Sequence, residues 1–351
     1  MMLRRPSAQG GFTLLELVIA VTLMGFVSIS MAPVFSLFVT AKAQTYTESQ
    51  AAINARLSQG FLSHAREVSA LGQLPAPFTD AASKRYNAPY NPDDVSASAV
   101  GPYLVQTRVA SQEINDDNTA AARVRVYQRL QGMTQDVPLY FQSGPSVRLT
   151  YDFGALYSTA CPRANTTPSC NINSSLGIPG ASPVLTAANV LTWQTAAPDY
   201  PGIMFSTLQI QKDMLRLTST RLDRVRDGFA SYFRAKVISA SASDSTNWYP
   251  APSMGLPNLM TITPSLNQGC RDGWYDLSTT DILTQVGLTA SELGKTAWGA
   301  AVQYCRDYDP AGTGLPNTPP HFAAIRIHKS VSAASPPDAV LPAANNIVLS
   351  F

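Results

Sequence analysis

The side chains able to do chemistry in this chain are few, and the first is a lone carboxylate. Glu16 lies at the start of an apolar run, and from Leu17 to Ala41 no charged side chain follows it. An ionised acid at membrane depth costs about 2.5–3.5 kcal/mol on insertion scales, so Glu16 requires a cationic partner or a shallow position. Four cysteines, Cys161, Cys170, Cys270 and Cys305, form an even set suited to disulfides in an oxidising compartment. Cys161–Cys170 and Cys270–Cys305 are the expected pairs, because each falls within one candidate module. Zinc is the competing use, but no Cys-x-x-Cys occurs and His64, His321 and His328 lack a matching ligand spacing. A Gly-x-x-x-x-Gly-Lys-Ser/Thr phosphate loop, a Gly-x-Ser-x-Gly elbow and a His-Glu-x-x-His zinc motif are all missing. The expectation is therefore a protein that is not an enzyme and that carries no cofactor.

The element that must position Glu16 is a helix. The 25 residues from Leu17 to Ala41 (41 − 17 + 1) span about 37 Å as a helix, longer than a hydrocarbon core of about 30 Å. Arg4 and Arg5 precede the run and hold that end in the cytoplasm by the positive-inside rule. A secretory signal peptide would have a shorter apolar core with small residues after it, whereas Gly10-Gly11 stand before it.

Gly10-Gly11-Phe12-Thr13-Leu14-Leu15-Glu16, behind a short basic leader and ahead of the apolar helix, resembles the prepilin signature of type IV pilins and type II secretion pseudopilins. The resemblance covers 30 to 40 residues. It implies that a prepilin peptidase/methyltransferase cuts after Gly11 and methylates the new amine of Phe12. Glu16 is then the fifth residue of the mature chain, pairing with the Phe12 amine of a neighbour to set register. Pro33 becomes the twenty-second, where many type IV pilins carry a helix-kinking proline. The implied partners are the inner membrane, its assembly platform, other pilins or pseudopilins, and a surface ligand of unknown kind.

Composition sets the outer limits. Of 351 residues, 14% are charged and 45% hydrophobic, and 26 prolines are scattered along the chain. The net charge of +2 comes from Arg4 and Arg5, so loss of residues 1–11 leaves 25 − 2 = 23 basic against 23 acidic residues. That balance excludes a generic nucleic-acid footprint.

From Lys42 to Leu71, the residues Ile53, Leu57, Phe61, His64, Val68 and Leu71 recur at spacings of three and four and predict an amphipathic helix that ends at Leu74-Pro75. Residues 75–100 read as a surface connection. Strands are expected at 103–109, 122–127, 138–141 and 147–151, with the acidic turn Asp116-Asp117-Asn118 between the first two. A second long helix is expected over 204–238, its basic residues interleaved with Asp213, Asp223 and Asp227. A short strand at 258–263, a turn at 269–275, one or two helices in 281–294 capped by Thr280 or Asp281 and by Ser291, a strand at 322–327, and a last edge strand or an exposed end at 346–351 complete the chain.

The segment Trp298-Gly299-Ala300-Ala301-Val302-Gln303-Tyr304 is similar to the Trp-Gly-x-x-x-x-Tyr strand pair of pseudopilin heads, with alanine where many of those have proline before the Trp. The resemblance makes Trp298 and Tyr304 packing residues, and it makes Asp307 and Asp309, which follow where major pseudopilins hold calcium, the candidate calcium pair. The expected fold is α+β: a long transmembrane and amphipathic helix with a pilin-like antiparallel head, enlarged by an insertion or second module. Its expected parts are a leader (1–11), a transmembrane and filament-core helix (12–41), its amphipathic continuation (42–74), a β-rich module (75–203) and a second helix with a C-terminal α+β module (204–351). The expected role is a large minor pilin that primes, tips or provides adhesion for a filament. A type II secretion pseudopilin and a membrane-anchored adhesin are the alternatives.

Overall fold

A computed structural model describes residues 14–80, 85–89, 98–109, 123–140, 143–162, 172–173, 178–179, 183–193, 202–241, 243–253, 268–311, 319–338 and 345–351. The chain forms two compact units, Met1–Ala52 and Ile53–Phe351. Helix α1 (Leu14–Ala65) contributes to both.

Within the second unit, Ile53, Leu57, Phe61 and Ala65 fall four residues apart and are buried. The helix stops earlier than its apolar spacing suggests. After Ala65 the chain tightens into a 3-10 turn at Val68–Ala70, and Leu71 takes the left-handed φ of 53° that ends it. Val68, expected on the buried face, is exposed as a result. Gly60 is where α2 (Gly101–Gln106) crosses: a Cβ there would lie 3.1 Å from Leu104 Cδ2.

Helix α2 replaces the strand expected at 103–109. Pro102 stands in its first turn, where the missing N–H costs nothing. Leu104 is fully buried while Val105 is exposed, so the apparent alternation does not follow a strand face.

Strands β1 (Phe78–Asp80) and β2 (Arg85–Ala88) form a small hairpin inside the expected connection. The dominant feature is a longer hairpin of β3 (Arg123–Tyr140) and β4 (Ser143–Pro162). The runs expected as separate strands at 122–127 and 138–141 fall, over their described residues 123–127 and 138–140, at the two ends of β3, and 147–151 lies in the first half of β4. A bulge between Leu130 and Met133, where Gly132 adopts a φ of 76°, lets the long strand bend without ending. Pro138 is tolerated because β3 is an edge strand.

After the short pair β5 (Ile172–Asn173) and β6 (Ile178–Pro179), strand β7 (Ile203–Ser206) joins β4 on its other side, giving the order β3-β4-β7. Met204, expected on the second helix, belongs to β7. The hairpin buries both faces near its base. Tyr127 and Leu156 pack with Phe61, the Tyr127 and Phe61 rings meeting edge-on at 5.0 Å, while Val126, Ala155 and Tyr157 pack around Trp193.

Helix α3 (Leu208–Ser239) is the expected second helix. Its charges pair along the exposed surface, Arg226 with Asp223 at 3.2 Å and with Asp227 at 3.5 Å. Beyond it come β8 (Tyr275–Asp276), α4 (Ile282–Gln285), α5 (Ala290–Leu293), β9 (Gln303–Cys305), β10 (Ala324–His328) and β11 (Asn346–Ser350). The four strands form an antiparallel sheet ordered β11-β10-β9-β8. Asp281 and Thr289 precede the two short helices, and Ser291, expected as a cap, lies inside α5.

The largest core joins Leu139, Val147 and Leu149 of the hairpin, Leu215, Leu222, Val225 and Phe229 of α3, and Trp298, Tyr304, Ile325 and Ile347 around the C-terminal sheet. The architecture is α+β, a long N-terminal helix followed by antiparallel sheets and helices with a second sheet module. Asp116–Asn118 and the strand expected at 258–263 lie outside the described residues.

Candidate processing and assembly site

Gly11 and Phe12 lie outside the described residues. Glu16 occupies the first turn of α1. An acid there complements the helix dipole, worth about 0.3–1 kcal/mol at an exposed site. Pro33 lies 17 residues further on (33 − 16), about 25 Å along the axis, inside the continuous helix. It has no N–H for the Ile29 carbonyl, and the Ser36 hydroxyl donates to the Pro33 carbonyl at 2.8 Å.

The rest of this segment is organised for an apolar medium. Thr22, Thr40 and Thr45 each donate their hydroxyl to a carbonyl four residues back, at 2.8, 2.8 and 2.9 Å, so the polar atoms are satisfied within the helix. Leu14, Leu15, Phe26, Phe35, Leu37 and Phe38 are all more than 60% exposed, which no stable isolated surface in water would sustain. Met31, Val34, Phe35 and Phe38 line a wholly apolar groove of about 310 Å³. Lys42 ends the run, its ammonium 5.8 Å from the centre of the Phe38 ring. Among the described residues no helix is long and apolar enough to cross a membrane. The side chains at 27–30 and 32, in the middle of the apolar run, are outside the description.

The remaining candidate residues lie in the second unit. Cys270 and Cys305 form a disulfide with a Cα–Cα distance of 5.8 Å. The Cys161 side chain and Cys170 are outside the described residues. Trp298 and Tyr304 are fully buried, Trp298 in the turn before β9 and Tyr304 on it, its ring 4.5 Å from that of Phe229. Burial holds the Tyr304 phenol well above its usual pKa.

Asp307 and Asp309 face a cation from the chain itself. Arg271 approaches them at 2.8 and 3.3 Å, and both carboxylates are almost completely buried. Among the described residues no group of three or more histidine, cysteine or acidic side chains is arranged to hold a metal.

Two features escaped the sequence. Gln211 is buried in the core row of α3, accepts the Trp298 indole N–H at 2.7 Å, and donates to the Leu71 and Gly72 carbonyls at 3.0 Å each. Thr218, two turns on, accepts the Ala297 N–H at 2.9 Å. The available signal was a pair of polar residues within the apolar row Gln211, Leu215, Thr218, Leu222, Val225, Phe229. Arg271 as counter-cation gave no such signal, because its partners lie 36 and 38 residues away (307 − 271 and 309 − 271).

Residues 6–32 match the model of the prokaryotic N-terminal methylation motif. No curated protein and no solved structure matches the chain. The motif implies processing by prepilin peptidase, and a course through the inner membrane to a filament. The matched segment leads into α1, its acid in the first turn and its apolar face uncovered, and it indicates the type IV pilin and pseudopilin family, whose members are typically structural subunits rather than enzymes.

Proposed function

We propose that this chain is a large minor pilin, present in low copy and built into a type IV pilus or related filament, where it primes assembly, caps the tip or displays an adhesive surface. Residues 1–11 are removed, the amine of Phe12 is methylated, and residues 12–41 hold the chain in the inner membrane in a single pass with its start in the cytoplasm and the head outside. Residues 42–74 lead into the head, the helix itself ending at Ala65, and 75–203 and 204–351 contribute a β-rich part and a second α+β part.

The observation that carries this reading is the methylation motif over residues 6–32 opening an exposed apolar helix. Uncovered side chains from Leu14 to Val39 require a bilayer or other helices, and a filament core supplies the second when the subunit leaves the first. Glu16 compensates its desolvation by pairing with the methylated, still cationic Phe12 amine of a neighbour. Pro33 provides a place where the helix yields while it is drawn out of the membrane.

The test compares sheared filaments from cells carrying the wild-type chain, Glu16→Ala, and a form retaining only residues 1–75. Glu16→Ala is expected to be processed yet depleted from filaments. Incorporation equal to wild type refutes the register role. If the headless form abolishes filaments, the chain acts in priming. Normal filaments that no longer attach make it an adhesin on a pilin mount, and normal filaments with failed protein export favour a type II secretion pseudopilin.

A further inference from the structure

Around the Cys270–Cys305 disulfide, two backbone hydrogen bonds and the Arg271 ion pairs join the turn before β8 to the loop after β9. Arg271 N–H donates to the Asp307 carbonyl at 2.9 Å, and Asp309 N–H donates to the Gly269 carbonyl at 2.6 Å. These two bonds make Cys270 and Tyr308 an isolated antiparallel bridge, and the Arg271 guanidinium reaches both Asp307 and Asp309. Asp309 also accepts the Ala311 N–H at 3.0 Å. The disulfide packs with Trp274 and Ala324, and the Arg326 guanidinium lies 4.4 Å from the Trp274 ring, so this corner supports the central strand β10. Two nearly buried carboxylates this close repel unless a cation stands between them, and Arg271 is that cation.

We infer that Arg271, held in place by the Cys270–Cys305 bond, is the built-in counter-cation that closes the C-terminal sheet, so closure depends on thiol oxidation and not on a divalent metal. Closure then requires loss of two electrons and two protons from the Cys270 and Cys305 thiols to a disulfide oxidant of the exported compartment, which is reduced to its dithiol. In the reduced chain the covalent link is gone, the ion pairs and the two backbone bonds are left to hold 269–271 against 307–309, and the turn opens. This goes beyond the placing of the chain in a filament and rests on that reading only for the oxidising compartment.

The test is hydrogen exchange on the full-length chain purified in detergent, comparing peptides covering 269–276 and 303–309 with a hairpin peptide covering 126–130. In the oxidised chain, a chelator and added calcium are both expected to leave all three unchanged. Reduction is expected to speed exchange of the first two by about tenfold or more while the hairpin peptide holds. Arg271→Met in the oxidised chain is expected to give a comparable local loss, and Arg271→Lys, which keeps the charge but not the forked geometry, a smaller one. Chelator-induced opening of the oxidised wild type overturns the internal-cation assignment. Unchanged protection on reduction overturns the oxidation dependence. Global unfolding of Arg271→Met is recognised by loss of the hairpin protection, and the reduction and chelator arms on wild type then decide.

Discussion

Replacing Gln211 with alanine tests whether a single buried amide joins the exit of α1, helix α3 and the Trp298 turn. The substitution strips the Trp298 indole N–H and the Leu71 and Gly72 carbonyls of their partner. A buried polar group left unpaired costs about 1–3 kcal/mol, and water entering the vacated space recovers part of that for the half-buried Leu71 carbonyl, so the sum is about 3–5 kcal/mol. The second unit has 351 − 53 + 1 = 299 residues, and for a unit that size each kcal/mol moves Tm by about 2 °C, giving a drop of about 6–10 °C.

The assay is calorimetry of the purified full chain, with Gln209→Ala as control. Gln209 reaches only the exposed Asp213, at 3.1 Å, and its loss is expected to stay within about 0.5 kcal/mol. Trp298→Phe removes the other side of the same bond, so the double variant is expected to fall short of additivity by about 1–2 kcal/mol. A Gln211→Ala melt within 1 °C of wild type, or strict additivity with Trp298→Phe, refutes the reasoning.

Other perturbations separate further causes. Gly294→Ala places a Cβ within 2.7 Å of the Ala290 and Leu277 carbonyl oxygens and is expected to cost about 1–3 kcal/mol in denaturant titration. Gly132→Ala meets nothing within 4 Å and should show only its left-handed backbone strain, about 1–2 kcal/mol. Burial first, and then repulsion from Asp307, raise the pKa of Asp272 above 3.8 in the folded chain. The native state therefore binds more protons than the unfolded one in the window just above that value, and stability falls as pH rises through it. Asp272→Asn should flatten that slope in urea midpoints measured against pH, and an unchanged slope would count against the burial cause.

What the sequence made legible followed short-range periodicity. The spacing of Ile53, Leu57 and Phe61 shows the buried face of α1 directly, and the alternation at 122–127 and 322–327 shows strands of antiparallel sheets. Val68 and the segment 103–109 misled for a common reason: their outcome depends on what lies across from them. The helix ends at Ala65, and the chain then tightens into a 3-10 turn that Leu71 closes in the left-handed region. Pro102 starts a helix whose Leu104 fits against Gly60, and nothing local in 103–109 reports that contact.

The runs 122–127 and 138–141 read as two strands because the segment between them shows no alternation, and Gly132 and Pro138 fall in or beside that gap. Only the bulge and the open edge explain why neither ends the strand. Gln211 and Arg271 were hidden because their partners are distant in sequence, and a polar residue in a core row says that a partner exists without saying which. The residues proposed for processing and assembly stand at the other extreme: Gly11, Phe12, Glu16 and Pro33 form a linear pattern within or beside the matched motif over residues 6–32, which needs no fold to be seen.

The measurement that tests the central claim most directly is intact mass and N-terminal peptide mass spectrometry of the membrane-derived protein, from cells with and without the prepilin peptidase. The account predicts a chain beginning at N-methylated Phe12 only where the peptidase is present. A start at Met1 or Met2 with the peptidase present, or a cut near residue 41, would contradict it and return the segment to an ordinary anchor or a secretory signal.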